Sequence, residues 1–167
     1  MLPLHHRGLL RVLVFYDGSA DADAAVELTA STFPGAQAKV LSVWDPSIAG
    51  GEQPEEATQQ LARRAAEHAR ELGLHAEPRC QTDAADVSRA IVETAAREHA
   101  DLIVTGRRGL ADDRSPSRGS VVRDVLRRAD RPVLVVPSVQ SATPPRAAVP
   151  AVPDGGLRIQ VVPLEDV

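Results

Sequence analysis

Aromatic residues, cysteine and long apolar runs are all scarce in this 167-residue chain, and each shortage excludes a class of protein. Aromatics make up 2% of the residues, so the core must be built from Val, Leu, Ile and Ala. The single cysteine, Cys80, excludes an internal disulfide framework, and with no Cys/His cluster beside it we interpret it as structural. No apolar run approaches the ~20 residues that a membrane span needs. Layers of aliphatic residues are typical of a parallel sheet covered by helices.

An excess of basic residues is missing as well. The formal net charge is −4 at pH 7, whereas nucleic-acid-binding domains normally present a basic face. The amino-terminal stretch MLPLHHRGLL has neither a long apolar stretch nor a small-residue cleavage site, so it is not a convincing signal peptide. We therefore expect a cytoplasmic protein that contacts neither nucleic acid nor membrane.

The chain does contain a regular alternation of short apolar runs and helical patterns. The predicted strands are RVLVFYD (11–17), AKVLSVWD (38–45), LHAEPRCQT (74–82), DLIVTG (101–106) and VLVVP (133–137). Alternation of strands and helices implies right-handed crossovers and a parallel sheet with helices on both faces. Pro78 lacks the N–H of a central strand, which predicts an edge position for the third strand. We predict an α/β fold: a doubly wound, open, five-stranded parallel sheet, Rossmann-like, with strand order 3-2-1-4-5.

Helix signals separate these strands. Ser19 or Asp21 can cap the first helix, and Pro34-Gly35 ends it. Gly73 is the carboxyl-terminal signal of the second helix, and Asp83 is expected to begin the third. The predicted apolar stripe of the second helix consists of Ala57, Leu61, Ala65, Ala69 and Leu72.

Composition divides the chain into three parts. Residues 1–9 are expected to form a tail, residues 10–137 a single domain, and residues 138–167 a second tail rich in Pro and Ala. The last stretch, LRIQVVPLEDV, regains strand-forming residues. It is either a frayed end or a short strand that pairs with a sheet edge of this chain or of a partner subunit.

The candidate site residues follow the strands, because doubly wound sheets bind ligands beyond the carboxyl ends of their strands. They come after the first strand at residues 17–19, after the second at 43–45, and after the fourth at 106–120. The last of these segments carries the spacing Gly106-x2-Gly109-x9-Gly119-Ser120 and has more Arg than Asp. Glycines allow close approach and positive φ, and a helix amino terminus at Ser120 attracts an anion. The segment suits a polyphosphate, or else its glycines serve only the turns and Ser120 only caps the helix.

The spacing, placed between a DLIVTG strand and a helix that ends in RPVLVVP, resembles the nucleotide-binding signature of the universal stress protein family. Other landmarks agree, namely the first strand running into Asp17-Gly18-Ser19 and the acidic residue after VLSVW. The resemblance covers about residues 10–137.

The resemblance implies the role of each site residue. Asp17 would bind the ribose hydroxyls, although it could instead cap the following helix, and Gly106 would lie close to the ribose. Val43 would meet the adenine through its backbone. The phosphates would be held by the backbone N–H groups of the following residues, with the Ser120 hydroxyl added: Gly109, Gly119, Ser120 and Val121.

The implied ligand is ATP, with ADP or AMP as alternatives, and Mg²⁺ or Mn²⁺ would be held through the phosphates rather than by protein carboxylates. Two positions depart from the family pattern. Val122 stands where a small hydroxyl residue is frequent, and Phe15-Tyr16 precede Asp17 where smaller residues are common, which predicts a tighter adenine pocket.

Three functions are compatible with these residues. The first is a nucleotide-responsive stress or regulatory module. The second is a slow ATP-hydrolysing or adenylyl-transferring enzyme, although no nucleophile–base pair is evident and we expect weak ATPase activity at most. The third is an interaction protein without nucleotide, but the presence of all three glycines of the motif argues against it.

The resemblance also implies a homodimer joined through the last strand, Val133–Val136, unless the carboxyl-terminal tail covers that edge.

Overall fold

The computed structural model describes residues 9–44, 55–82, 86–108 and 121–137 of the chain. Several parts of the sequence predictions lie outside these ranges: the strand end Asp45, the helix start Asp83, the segment 109–120, residues 1–8 and residues 138–167. The elements follow the predicted order: β1 (Arg11–Phe15), α1 (Ala20–Thr32), β2 (Gln37–Trp44), α2 (Glu55–Glu71), β3 (His75–Thr82), α3 (Val87–Arg97), β4 (Leu102–Gly106), α4 (Val121–Arg128) and β5 (Val133–Val136).

The strands form one parallel sheet of five in the order β3-β2-β1-β4-β5. The predicted fold class and strand order are thus confirmed. β1 lies at the centre, where Val14 is in register with Val40 of β2 and with Val104 of β4. β3 lies at an edge, as Pro78 predicted.

Helices cover both faces of the sheet. Successive side chains of a strand point to opposite faces, and the apolar side chains on each face need cover. Val12 and Val14 pack with α1 and α2 on one face. Leu13, between them, packs with α3 and α4 on the other. All three side chains are fully buried, which explains why β1 reads as a continuous apolar run rather than as an alternating one.

Two helix predictions need correction. The third helix does not begin at Asp83: it begins at Val87, and the extended Asp86 caps it by accepting the Arg89 N–H at 3.1 Å. The stripe predicted for α2 is displaced, since Leu61 is half-buried and Leu72 is 40% exposed. Ala65 and Ala69 of the predicted stripe are buried, and the other buried residues of the helix are also small, which lets it pack closely against the sheet: Thr58, Ala62 and Ala66.

The helix ends follow ordinary capping chemistry. Ser19 caps α1, and its hydroxyl oxygen accepts the Ala22 N–H at 3.2 Å. Gly73 follows α2 with a φ of +96°, as its position predicted. None of the helices in the described ranges is long and apolar enough to cross a lipid bilayer.

Candidate functional site

The carboxyl ends of β1 and β4 meet at one edge of the sheet, together with the first turn of α1. Because Val14 and Val104 are in register, Asp17 and Gly106 both come just after that paired position. The two strands are also the point at which the chain reverses its direction across the sheet, since β2 and β3 lie on one side of β1 and β4 and β5 on the other. This is the position at which doubly wound sheets bind ligands.

Gly106 is a glycine because α1 lies directly against it. A Cβ at this position would be 2.7 Å from the carbonyl carbon of Asp21 and 2.9 Å from the nitrogen of Ala22. Positive φ angles are found at other glycines of the described ranges, Gly18, Gly35 and Gly73. Gly106 is therefore required for close packing of the helix against the strand end rather than for an unusual backbone conformation.

The residues after Gly106 are held by their backbone. The Arg107 N–H donates to the Val136 carbonyl at 2.8 Å. The Arg108 N–H donates to Oδ2 of Asp21 at 2.9 Å, and the Arg108 carbonyl accepts the Ser19 hydroxyl at 3.2 Å. The direction in which the chain leaves β4 is thus set by β5 on one side and by α1 on the other.

Asp17 supports the turn between β1 and α1. Its Oδ1 accepts the Ser19 N–H at 3.0 Å, and its side chain is half-buried. Ser19, not Asp17, is the cap of α1, so the cap role considered for Asp17 belongs to its neighbour. The carboxylate lies at the strand end, where a hydrogen-bond acceptor can face a ligand.

Val43 and Val121 reach this region from two other elements. Both are half-buried and pack against the same core cluster, on the face covered by α3 and α4. Pairing of β1 with β2 ends nearby: the Tyr16 N–H donates to the Leu41 carbonyl at 2.8 Å, and the buried Ser42 hydroxyl donates to the Tyr16 carbonyl at 2.7 Å. The register of β1 with β2 ends at the pair Phe15 and Leu41, two residues before Val43.

Tyr16 lies beside the site, and the pKa of its phenol is raised. Burial raises the pKa of its phenol, and the hydrogen bond that it donates to Asp23 at 2.5 Å raises this pKa further. Its ring packs on the face of α1 and α2, whereas Phe15 packs on the opposite face. The hydroxyl of Tyr16 is therefore directed at the first turn of α1.

The structure places some predicted site residues and leaves others outside its range. Asp17, Val43, Gly106 and Val121 all lie at this edge of the sheet. Gly109, Gly119 and Ser120 lie outside the described residues. Within the ranges that are described, no group of three or more His, Cys, Asp and Glu could hold a metal ion.

Sequence reasoning missed the contacts that Asp21 and Ser19 make with Arg108. It treated Asp21 only as an alternative cap of α1, and Ser19 as a cap and as one of the candidate residues after the first strand. The available signal was the pair of short polar side chains at the start of a helix that follows a central strand. That signal does not say which distant backbone the side chains contact.

Comparison with known proteins identifies the fold and the family. The model of the universal stress protein family matches residues 9–137. No functionally curated protein matches the chain.

Several solved structures are similar. A universal stress protein in complex with cAMP is 26% identical with a TM-score of 0.55, covering 78% of this chain and 98% of its own. A universal stress protein family member from Burkholderia pseudomallei is 29% identical with a TM-score of 0.51, covering 76% and 95%. The universal stress protein from Archaeoglobus fulgidus in complex with dAMP is 22% identical with a TM-score of 0.59, covering 77% and 98%, and at this identity it supports the fold alone. The resemblance seen in the sequence is confirmed, and the chain belongs to the universal stress protein family.

Proposed function

We propose that this chain is a nucleotide-responsive module that binds an adenine nucleotide beyond the carboxyl ends of β1 and β4. The first candidate ligand is ATP with Mg²⁺ or Mn²⁺. The observation that carries the proposal is the position of Asp17 and Gly106 on the two sides of the point where strand order reverses. The similar structure with bound cAMP supports an adenine nucleotide as the ligand class.

The residues at this edge suit the parts of such a ligand. The Asp17 carboxylate offers acceptors to the two ribose hydroxyls, which are donors. The backbone of Val43 lies where the ladder with β1 stops, which suits the donor and acceptor edge of adenine. Val121 begins α4, and the N–H groups of a helix's first turn favour phosphate oxygens. Gly109, Gly119 and Ser120 would supply the remaining phosphate contacts, and the metal ion would be held by phosphate oxygens.

Nucleotide titration of the full-length protein tests this proposal. Trp44 is the only tryptophan in the chain and ends β2 next to Val43, so its fluorescence is a built-in reporter. We expect saturable binding of ATP, ADP or AMP, and nucleotide released from purified protein by acid. No released nucleotide, together with no thermal shift on adding Mg-ATP, would refute the proposal.

A matched pair of variants locates the binding. Asp17→Asn removes the charge from the carboxyl edge, and Asp101→Asn makes the same change at the amino end of β4, where Asp101 accepts the Arg11 N–H at 2.9 Å. We expect Asp17→Asn to weaken binding by about 10- to 100-fold, the value of one or two charge-assisted hydrogen bonds. Asp101→Asn should bind as the unmodified protein does. Equal affinities of the two variants would place the ligand elsewhere.

Turnover separates the module from an enzyme. We expect little or no release of phosphate from ATP, since binding is the function proposed. Steady hydrolysis or adenylyl transfer that Gly119→Val abolishes, and that a mock purification lacks, would establish the enzyme instead.

The chain is further proposed to form a homodimer through β5. This strand lies at the sheet edge, and its residues Val133, Leu134 and Val135 are only half-buried. A Lys in place of Val135 should dissociate the dimer in sedimentation experiments. A dimer that persists would refute the interface, and a monomer before the substitution would favour cover by the carboxyl-terminal tail.

We also propose that residues 10–137 form the folded domain and that the protein acts in the cytoplasm. A chain that ends at residue 137 should unfold at the same temperature as the full-length protein. A large loss of thermal stability on removal of residues 138–167 would show that the tail is part of the fold.

A further inference from the structure

The start of the segment that follows β4 is held by two side chains of α1 and its cap. Asp21 accepts the N–H of Arg108 and Ser19 donates to the carbonyl of the same residue. Both polar groups of one backbone residue are therefore engaged by side chains that lie 87 and 89 residues away in sequence. Ordinary loops satisfy such groups with water or with near neighbours.

Because the Asp21 side chain is buried, its carboxylate needs a hydrogen-bond donor. Asp21 is only 5% exposed, and a buried carboxylate is costly unless donors face it. The backbone atoms of Asp21 and Ala22 also lie against Gly106, where no side chain could fit. The first turn of α1 thus contacts both the end of β4 and the second residue beyond it, and this fixes the position and the direction of the chain there.

The same contacts lead back to Asp17. Oδ1 of Asp17 accepts the N–H of Ser19, and the hydroxyl of Ser19 donates to the carbonyl of Arg108. A connected set of hydrogen bonds therefore joins the end of β1 to the chain that leaves β4. Any ligand that contacts Asp17 meets a carboxylate whose orientation is tied to that of Arg108.

From this geometry we propose that Asp21 and Ser19 are positioning residues for nucleotide binding. They orient the backbone at Arg108, and through Ser19 they couple that orientation to Asp17, without touching the ligand themselves. The inference rests on the proposed function, because it names the residues that organise that site.

Substitution of Asp21 tests the inference, with Asp23 as the matched control. Asp23 lies in the same first turn of α1 but is exposed and bonds to Tyr16. We expect Asp21→Ala to raise the Kd for Mg-ATP, ADP and AMP by about tenfold or more, because binding must then also order the backbone at Arg108. Asp21→Asn keeps an acceptor oxygen and should restore most of the affinity. Asp23→Ala should change the Kd by no more than about twofold, because its contact lies on another side of the helix.

Substitution of Ser19 separates capping from positioning. Ser19→Gly removes the hydroxyl, yet glycine is itself a favoured cap residue and so keeps most of the helix stability. Ser19→Asn keeps a cap acceptor and adds an amide donor for the Arg108 carbonyl. We expect the Gly variant to lose affinity with little loss in the urea midpoint, and the Asn variant to retain affinity.

Each outcome bears on the inference. If the unmodified protein binds nucleotide and Asp21→Ala binds it equally well, the inference is wrong and the proposed function stands. If the affinity of Asp21→Ala returns in full at a temperature low enough to restore its folded fraction, the role of Asp21 is only structural. If the unmodified protein binds no adenine nucleotide, the proposed function fails and the inference fails with it.

Hydrogen exchange checks the underlying contact without any nucleotide. The Arg108 amide should exchange slowly in the ligand-free protein and rapidly in Asp21→Ala, while the amides of β1 keep their protection. An Arg108 amide that exchanges freely in the unmodified protein would overturn the inference.

Discussion

Gly106 and Asp21 are so close that a Cβ on the glycine would lie 2.7 Å from the carbonyl carbon of Asp21. The contact joins the end of β4 to the first turn of α1, and the hydrogen bonds of Asp21 and Ser19 to Arg108 lie next to it. Since the opposing atoms belong to a helix backbone, they cannot rotate away from an added methyl group.

We expect Gly106→Ala to lower the free energy of unfolding by about 1–3 kcal/mol, the usual cost of overpacking, and to weaken nucleotide binding as well. Urea unfolding and nucleotide titration measure the two effects. Gly35→Ala is the control: Gly35 has a φ of +76° and nothing within 4 Å of its Cβ position, and it precedes β2 at the opposite edge of the sheet. That variant should lose about 1 kcal/mol through backbone strain and keep its affinity. A fully stable Gly106→Ala would contradict the close packing of α1 against β4.

His99 occupies a backbone conformation that favours glycine. Its φ is +51°, and it follows α3 as Gly73, with a φ of +96°, follows α2. The hydrogen bonds match: Ala100 N–H to Ala95 and Leu74 N–H to Ala69, each at the end of its helix.

We therefore expect His99→Gly to raise the free energy of unfolding by about 0.5–1 kcal/mol, because relief of strain exceeds the added freedom of the unfolded chain. The His99 side chain is exposed, so little else is lost. Gly73→Ala should do the reverse, by about 1 kcal/mol. Denaturant unfolding of both variants measures the pair, and a His99→Gly variant less stable than the parent would disprove the strain at His99.

Tyr16, the only tyrosine in the chain, should resist ionisation at alkaline pH. Burial and the hydrogen bond to Asp23 raise its pKa above the ordinary 10.0. Because the folded pKa is above the unfolded one, its contribution to stability is complete below pH 10.0 and is lost as the pH rises.

The ultraviolet absorbance of tyrosinate should thus appear together with unfolding, not ahead of it. Asp23→Ala should let the phenol ionise at lower pH, since the acceptor and its charge are gone. Tyrosinate that forms in the fully folded protein near the ordinary value would refute the burial of Tyr16.

Glu98 is expected to make the protein sensitive to acid. Its carboxylate accepts a hydrogen bond from Nε of Arg79 at 2.7 Å, and this contact lowers its pKa below the ordinary 4.5. Lys39 lies 3.8 Å from the other carboxylate oxygen. A lowered pKa stabilises the fold above the unfolded value, and that contribution is lost as the pH falls through the folded value.

We expect the stability of the unmodified protein to fall more steeply than that of Glu98→Gln below about pH 5, where the unfolded carboxylate begins to take up protons. The difference should be about 0.5–1 kcal/mol, because the pair is partly exposed. Urea unfolding at a series of pH values measures it. Parallel curves for the two proteins would contradict a stabilising role for this ion pair.

The sequence predicted most of the fold because the signals it carries are local. Continuous apolar runs located the strands, and Pro78 placed β3 at an edge. The start of α3 was predicted at Asp83 rather than Asp86 because both residues are good caps, and only the packed helix shows which of them meets the Arg89 N–H. The stripe of α2 was predicted correctly at Ala65 and Ala69 but wrongly at Leu61 and Leu72, because leucine is the more hydrophobic residue whereas alanine allows close approach to the sheet.

By itself, the sequence determined the order of strands and helices, the family, and the candidate residues at the strand ends, since periodicity, turn residues and motif spacing are properties of neighbouring positions. The tertiary structure alone decided which residues of this region contact one another. Asp21 and Arg108 are 87 residues apart along the chain, and the direction of Arg108 depends on a helix packing onto a strand end that has no side chain. Such a contact arises from the packing of whole elements, because the geometry that joins them exists only after the sheet has formed.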